Sequence, residues 1–310
     1  LDDRKNGVKK EYLKLIEEGL RVPQTPESLY APIEYFLSLP AKRIRPLLTL
    51  AVYEALTGRW PEPALAAALA VETFHNFTLV HDDVMDHAEL RRGMPTVHQR
   101  YGLNAAILSG DAMHVLAFRF LAHYDEPLRG RLTFFLLETA REVCEGQAKD
   151  LDGPSDVASY LDMLEQKTGA LLGAAAAFGA MVAGADVPTV QKINACWRNW
   201  GTGFQIIDDV LDMYGGQAFG KQPGGDVLEG KKTALWYAAY ESPAYRAALD
   251  DAWPRRDVQE MRALFDRTDA ADIARRRADE RFERARQLVA DLPALLPVFQ
   301  WLDSLAQRTT

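Results

Sequence analysis

Apolar residues recur along this chain with the spacing of helices rather than strands. No sustained apolar/polar alternation is bounded by the turn dipeptides that would mark a hairpin. Ala, Leu, Glu and Arg fill long stretches instead, while Pro and Gly gather at the breaks. Those breaks stand at VPQTP 22–26, LPAKRIRP 39–46, GRWPEP 58–63, RRGMP 91–95, DGPS 152–155, GADVP 184–188, YGGQAFGKQPGGD 214–226 and WPRR 253–256. Segments of about 15 to 25 residues lie between them, longer than the average globular helix. Long helices joined by short turns predict one all-α bundle. Residues 270–292, AADIARRRADERFERARQLVADL, fit an amphipathic helix with a solvated outer face. No composition shift marks a second domain, so a single domain over residues 1–310 is expected.

Composition narrows the class without naming a chemistry. With 48% hydrophobic and 26% charged residues among 310, the chain can bury a sizeable core and stay soluble. A net charge of −8 and a pI near 5.4 exclude a nucleic-acid surface, which needs a basic stripe. They do not exclude a phosphorylated substrate, because bound cations can supply positive charge locally. The uncharged stretch ALLGAAAAFGAMVAGA at 170–185 is too short for a membrane span of roughly 20 residues. Its Ala and Gly suit a helix packed closely on all sides, so an integral membrane protein is not expected. Cys144 and Cys196 match no metal-ligand spacing and read as buried thiols in a reducing cytosol. The first residues, LDDRKNGVKK, carry no apolar signal-peptide core and no initiator Met. A cytoplasmic location is expected.

One internal echo carries the chemistry. FTLVHDDVMD at 77–86 and FQIIDDVLD at 204–212 each place an aromatic and aliphatic residues before Asp-Asp-x-x-Asp. Positions i and i+4 share a helix face, so Asp82 and Asp86 point one way, and Asp208 and Asp212 repeat the geometry. Like charges at this spacing repel, and apolar flanks raise the cost of holding them unless a cation compensates. Hard oxygen donors without a His or Cys cluster favour Mg²⁺, with Mn²⁺ possible, over zinc. Because Mg²⁺ takes few protein carboxylates and completes its shell with water and phosphate, the pair suggests a diphosphate bridged by several ions. Asp82, Asp86, Asp208 and Asp212 are the expected metal ligands, with Asp83 and Asp209 behind them.

DDVMDHAELRRG at 82–93 and GFQIIDDVLD at 203–212 resemble the two aspartate-rich motifs of the trans-isoprenyl diphosphate synthases, also called the polyprenyl synthetase family. KRIRP at 42–46, His75, GDA at 110–112, EGQAKDL at 145–151, KTG at 167–169 and GKQPGGDVLEGKKT at 220–233 extend the resemblance over roughly residues 35–235. The family's usual Gly-Gly before the first Lys is replaced here by Pro40 and Ala41. The resemblance implies a terpenoid-synthase fold around a deep cavity, a homodimer and three Mg²⁺ ions. It also implies the reaction, in which an allylic diphosphate ionises and the alkene of isopentenyl diphosphate attacks the cation. By the same resemblance Arg91, Lys167, Thr168, Gln205, Lys221 and Lys231 attend the allylic diphosphate. Lys167 and Thr168 also act, with Asp82, Asp86 and Asp208, as the cation forms. Lys42, Arg45, His75 and Arg92 hold isopentenyl diphosphate, and His75 lies seven residues, about two turns, before Asp82.

In relatives an aromatic residue five positions before the first Asp limits elongation, a place taken here by Phe77, with Phe74 and Thr78 beside it. The first motif also lacks a two-residue insertion common in bacterial farnesyl-producing relatives. Both features favour a C20 product, geranylgeranyl diphosphate, over C15. Two other readings are less favoured. A class I terpene cyclase would need no second cationic cradle and carries a different second metal motif. A non-catalytic partner subunit would be expected to have lost aspartates or lysines that this chain retains.

Overall fold

A computed structural model of the chain describes residues 3–215 and 223–307, with side chains described from Lys10 to Ser304 within them. Its helices are α1 Asp3–Gly19, α2 Glu27–Ser38, α3 Ile44–Thr57, α4 Leu65–Met85, α5 Val97–Tyr101, α6 Leu103–Leu121, α7 Leu128–Asp152 and α8 Val157–Leu164. They continue as α9 Ala170–Val182, α10 Val187–Tyr214, α11 Gly225–Glu229, α12 Ala234–Tyr240, α13 Arg246–Ala252, α14 Val258–Arg267, α15 Ala270–Leu288 and α16 Leu296–Gln307. Among the described residues the one sheet is a hairpin of two-residue strands, β1 Leu90–Arg91 against β2 Met94–Pro95. The all-α expectation holds. Among the described residues no helix is long and apolar enough to cross a membrane.

The chain gathers into two compact units, Leu1–Leu137 with Ala174–Val190, and Glu138–Gly173 with Gln191–Thr310. In the first, α4 is the central helix. Twenty-one residues without Gly or Pro sustain it, and it is buried on opposite faces, by Ala67, Val71 and Phe74 on one and by Leu69 and Val80 on the other. The Ala/Gly run is buried from Ala170 to Met181 and emerges over its last four residues. A Cβ on Gly179 would sit 2.3 Å from the Thr49 carbonyl oxygen, so only Gly lets α9 approach α3 this closely.

In the second unit α10 carries the core, with Ile206, Val210 and Met213 packed among α8, α12 and α14. Residues 270–288 form the expected amphipathic helix, α15, and its buried edge is a row of alanines, Ala270, Ala274, Ala278 and Ala285. Alanine lets a helix approach its neighbour closely, and a Cβ on Gly203 would already lie 3.0 Å from the Ala278 carbonyl. One thiol departs from expectation. Cys196 is buried, but Cys144 is exposed, its position on α7 facing outward beside Glu145.

Candidate active site

In the first unit, the basic turn before α3 is held in an unusual backbone conformation. Arg43, the N-cap of α3, has φ 48°, in the left-handed region that costs a non-glycine residue about 1 kcal/mol or more. Its guanidinium is buried. Nη1 donates to Glu72 Oε1 at 2.6 Å and Nη2 to the Leu37 carbonyl, while Asn76 Nδ2 donates to the same Glu72 oxygen at 2.9 Å. Removing one member of a buried pair strands the other. Arg43→Met should therefore destabilise the protein by about 3 kcal/mol, read as a lower urea midpoint at unchanged slope.

This clamp fixes the turn that carries Lys42 and Arg45. Lys42 is exposed, whereas Arg45 reaches α4, its Nη1 lying 3.1 Å from His75 Nε2. Arg92 comes from the hairpin, donating to the Leu39 carbonyl at 3.4 Å with its guanidinium 5.8 Å from the Phe36 ring centre. Burial pushes the Arg45 pKa down to about 10. Burial, then Arg45, Arg92, Arg91 and Arg43, hold the His75 pKa well below its ordinary value, so the imidazole is neutral. Burial and Arg43 lower Arg92 as well. Neighbouring guanidinium groups thus contribute to the shifts of both His75 and Arg92, and positive charge gathered in this way favours an anion. Arg45 Nε is buried without a hydrogen-bond partner among the described residues, so a donor is available to one. The four residues expected to hold isopentenyl diphosphate thus lie on neighbouring elements of one unit.

Asp82 and Asp86 occupy the last turn and the C-cap of α4, and Asp208, Asp209 and Asp212 the last two turns of α10. A helix C-terminus carries the negative end of the macrodipole, so carboxylates there are disfavoured twice, by one another and by the backbone. A cation placed at either helix end offsets both terms. Asp83, buried, is turned instead to the hairpin, where Arg91 Nε donates to its Oδ1 at 2.8 Å. Burial nevertheless holds the Asp83 pKa above the ordinary value, against the pull of Arg91. Arg91, expected at the allylic diphosphate, is thus engaged with an aspartate here.

In the second unit Asp209 is the buried member of its motif. It accepts from the Tyr160 hydroxyl, from Gln205 Nε2 at 3.1 Å and from the Ala234 backbone N–H at 3.1 Å. Asp212 accepts from the Asp226 N–H at 3.0 Å, and its carbonyl from the Gly224 N–H at 2.7 Å. Burial, then the nearness of Asp209 and Asp212, drive the Asp226 pKa upward, and burial raises Asp209 as well. A cavity of about 10 Å³, room for a single water, is lined by Asp209, Asp212, Asp226, Lys231 and Thr233. Lys231 pairs with Glu229 at 3.1 Å. Lys167 lies in a π-helical turn, Glu165–Gly169, and its Nζ is 2.6 Å from Asp150 Oδ2. Thr168, next to it, is half-buried. Lys221 lies outside the described residues.

Asp226, Tyr160, Asp150 and the Arg43–Glu72–Asn76 clamp escaped the sequence reading as site residues. Asp226 had a signal, an acid inside a Gly- and Lys-rich loop. Tyr160 had none, because its partner is 49 residues away.

The sequence model of the polyprenyl synthetase family matches residues 26–267. A geranylgeranyl pyrophosphate synthase of Geoglobus acetivorans is 37% identical, covering 99% of this chain and 98% of its own length. The chain belongs to the polyprenyl synthetase family. It is a trans-prenyltransferase with an all-α, terpenoid-synthase-like fold. A geranylfarnesyl diphosphate synthase of Aeropyrum pernix is 36% identical over 87% of this chain and 90% of its own. A crystal structure of a geranylgeranyl pyrophosphate synthetase from Pyrococcus horikoshii superposes with a TM-score of 0.88 at 31% identity, covering 97% of this chain and 98% of that one. The family uses a divalent metal. The donors here fit such an ion, being hard carboxylate oxygens at helix ends that need positive charge. Among the described residues no three acidic, imidazole or thiol groups converge as a ready cage.

Proposed function

We propose that this enzyme condenses isopentenyl diphosphate with allylic diphosphates of C5 to C15 and stops at C20, geranylgeranyl diphosphate. The observation that carries the reading is that each unit holds an acidic helix end, and that the first unit also holds a separate basic cluster, Arg45 against His75 with Arg92 from the hairpin. A cyclase, which ionises one substrate, has no use for that cluster. A partner subunit has no use for either feature.

In this reading Asp82, Asp86, Asp208 and Asp212 hold Mg²⁺, three ions by the family's pattern with Mn²⁺ as a substitute. The ions supply positive charge to the departing diphosphate. Lys167, Gln205, Lys221, Lys231 and Arg91 bind the oxygens of that diphosphate, Lys167 exchanging Asp150 and Arg91 exchanging Asp83 for phosphate. Thr168 offers its hydroxyl oxygen to the developing cation. Lys42, Arg45, His75 and Arg92 anchor isopentenyl diphosphate, which must not ionise. The allylic C–O bond breaks, the new C–C bond forms from the alkene, and the released diphosphate takes the proton lost in restoring a double bond. The residues act together as a single polyprenyl synthetase domain.

The test is a Mg²⁺-dependent assay with isopentenyl diphosphate and each of the C5, C10 and C15 primers. We expect turnover with all three and a common C20 end product by chromatography. No turnover with any primer overturns the reading in favour of a partner subunit, and release of a cyclised hydrocarbon overturns it in favour of a cyclase.

A homodimer belongs to the same proposal. Ile107 and Val115 lie eight residues apart on one face of α6, with Leu103 and Leu108 beside them, and Phe134 and Leu137 stand out from α7. Val115 is 69% and Phe134 66% exposed, which is costly for a monomer and natural for a surface covered by a second copy. Light scattering should give twice the chain mass, and Val115→Glu should halve it. A single-chain mass for the unaltered protein would refute the dimer.

A further inference from the structure

Helices α8 and α9 are joined by a π-helical turn, Glu165–Gly169, in the sequence EQKTG. A π turn inserts a residue into the α pattern, is intrinsically less favourable and tends to occur at functional sites. Something must hold it. Three glycines allow the surrounding backbone to close on the turn. A Cβ on Gly146 would lie 2.5 Å from the Lys167 nitrogen, one on Gly169 2.8 Å from the Arg198 carbonyl oxygen, and one on Gly173 2.5 Å from Asn194 Oδ1. These approaches leave room for the turn but do not select its register.

The selecting contacts are ionic and converge on Glu165, its first residue. Glu165 Oε1 accepts from Arg198 Nε at 3.3 Å, and Oε2 from Arg281 Nη1 at 3.3 Å. Arg198 is itself anchored on α7, with Nη1 2.6 Å from Glu142 Oε2. Arg281 is anchored on α10, with Nη1 3.2 Å from Asn199 Oδ1. One carboxylate thus ties the π turn to α10 and α15, each of its oxygens engaged by a different guanidinium. Arg281 lies beyond the family match, which ends at residue 267.

We propose that Glu165, held between Arg198 and Arg281, is a positioning residue that sets the register of the π turn and thereby aims Lys167 and Thr168 at the allylic diphosphate. Helix α15 then takes part in ionisation through Arg281, without touching substrate. The proposal rests on the roles assigned above to Lys167 and Thr168. The competing view is an ordinary solvated network. Exposed ion pairs contribute little, and these side chains keep between 18% and 32% of their exposure. Such a network would be kinetically silent.

Steady-state kinetics of the full-length enzyme at saturating Mg²⁺, with a thermal melt for each variant, separates the two views. Glu165→Gln and Arg281→Met should each lower kcat by about tenfold, the size usual for residues that orient a catalytic group. Each should raise KM for the allylic diphosphate while leaving KM for isopentenyl diphosphate within about twofold. Melting temperatures should stay close to wild type, and Arg281→Lys, which keeps the charge, should recover most of the loss. Wild-type kinetics in both variants, a parallel rise of both KM values, or an Arg281→Lys no better than Arg281→Met would overturn the proposal. Lys167→Ala is the control. If it loses kcat while Glu165→Gln does not, the positioning role alone fails. If Lys167→Ala behaves as wild type, the reading of Lys167 fails and the proposal falls with it.

Discussion

Replacing Asp82 with Asn should lower kcat by about 10³-fold, roughly 4 kcal/mol of lost transition-state stabilisation, and Asp208→Asn should do nearly as much. Asn keeps the shape and one hydrogen-bonding oxygen but removes the charge that holds a hard cation. Because both aspartates stand in the C-terminal turns of their helices, removing that charge also removes an unfavourable interaction with the macrodipole. The metal-free melting temperature of Asp208→Asn should therefore not fall, even as activity does. Loss of activity with unchanged or raised stability marks a residue kept for chemistry. A kcat within tenfold of wild type for Asp82→Asn, or a loss explained by unfolding, would remove the first motif from the ionisation step. Asp83→Asn supplies the contrast. Its partner is Arg91, so it should alter placement of the hairpin and raise KM for the allylic diphosphate more than it lowers kcat.

Much of this was legible in the residues because it is local. Helix runs and breaks follow from where Ala, Leu, Pro and Gly stand. The turn at 39–43 and the break at 153–156 fall at breaks legible in the sequence, whereas the break at 91–95 holds a short hairpin that no strand pattern announced. The two acidic motifs are i to i+4 patterns within single helices, which a periodicity argument resolves. What was not legible is carried by long-range contacts. The connection at 122–127 between α6 and α7 has no cluster of breakers, only Pro127 opening α7. Nothing local says that Glu72 and Asn76 hold Arg43 in a left-handed conformation. Nor does it say that Tyr160 orients Asp209, or that Arg281 reaches Glu165 across 116 residues. The π turn is invisible to a 3.6-residue pattern, because its departure from that pattern is its content. Product length is hard to read for a different reason. Relatives of nearly equal identity are named for geranylgeranyl and for geranylfarnesyl products, so overall likeness does not set it.

The second large effect concerns that length. Phe77→Ala should shift the main product from C20 to C25, read by reversed-phase chromatography of the hydrolysed alcohols. Phe77 lies five residues before Asp82, about 7.5 Å along α4. Its ring stacks on His114 of α6 at 4.9 Å and 10°, and meets Phe74 edge-on at 5.2 Å and His81 at 5.0 Å. This is a wall of four rings, not a lone side chain, and it is stiff. Gly110 lets α6 come so near that a Cβ there would lie 2.1 Å from His81 Nε2. Deleting the Phe77 ring leaves His114 and Phe74 in place. Phe74, buried to 1% exposure and one turn further from the aspartates, then becomes the next stop. The single variant should therefore lengthen the product by one isoprene unit, and Phe74→Ala added to it by more. Thr78 should matter less, because its hydroxyl already donates to the His75 carbonyl at 2.8 Å, which fixes its rotamer. The stability cost of Phe77→Ala should fall below the 3–5 kcal/mol of a fully buried Phe, since Phe77 is only half-buried. An unchanged C20 product from a folded Phe77→Ala enzyme would place the stop elsewhere, and longer products from Phe74→Ala alone would move it one turn along the same helix.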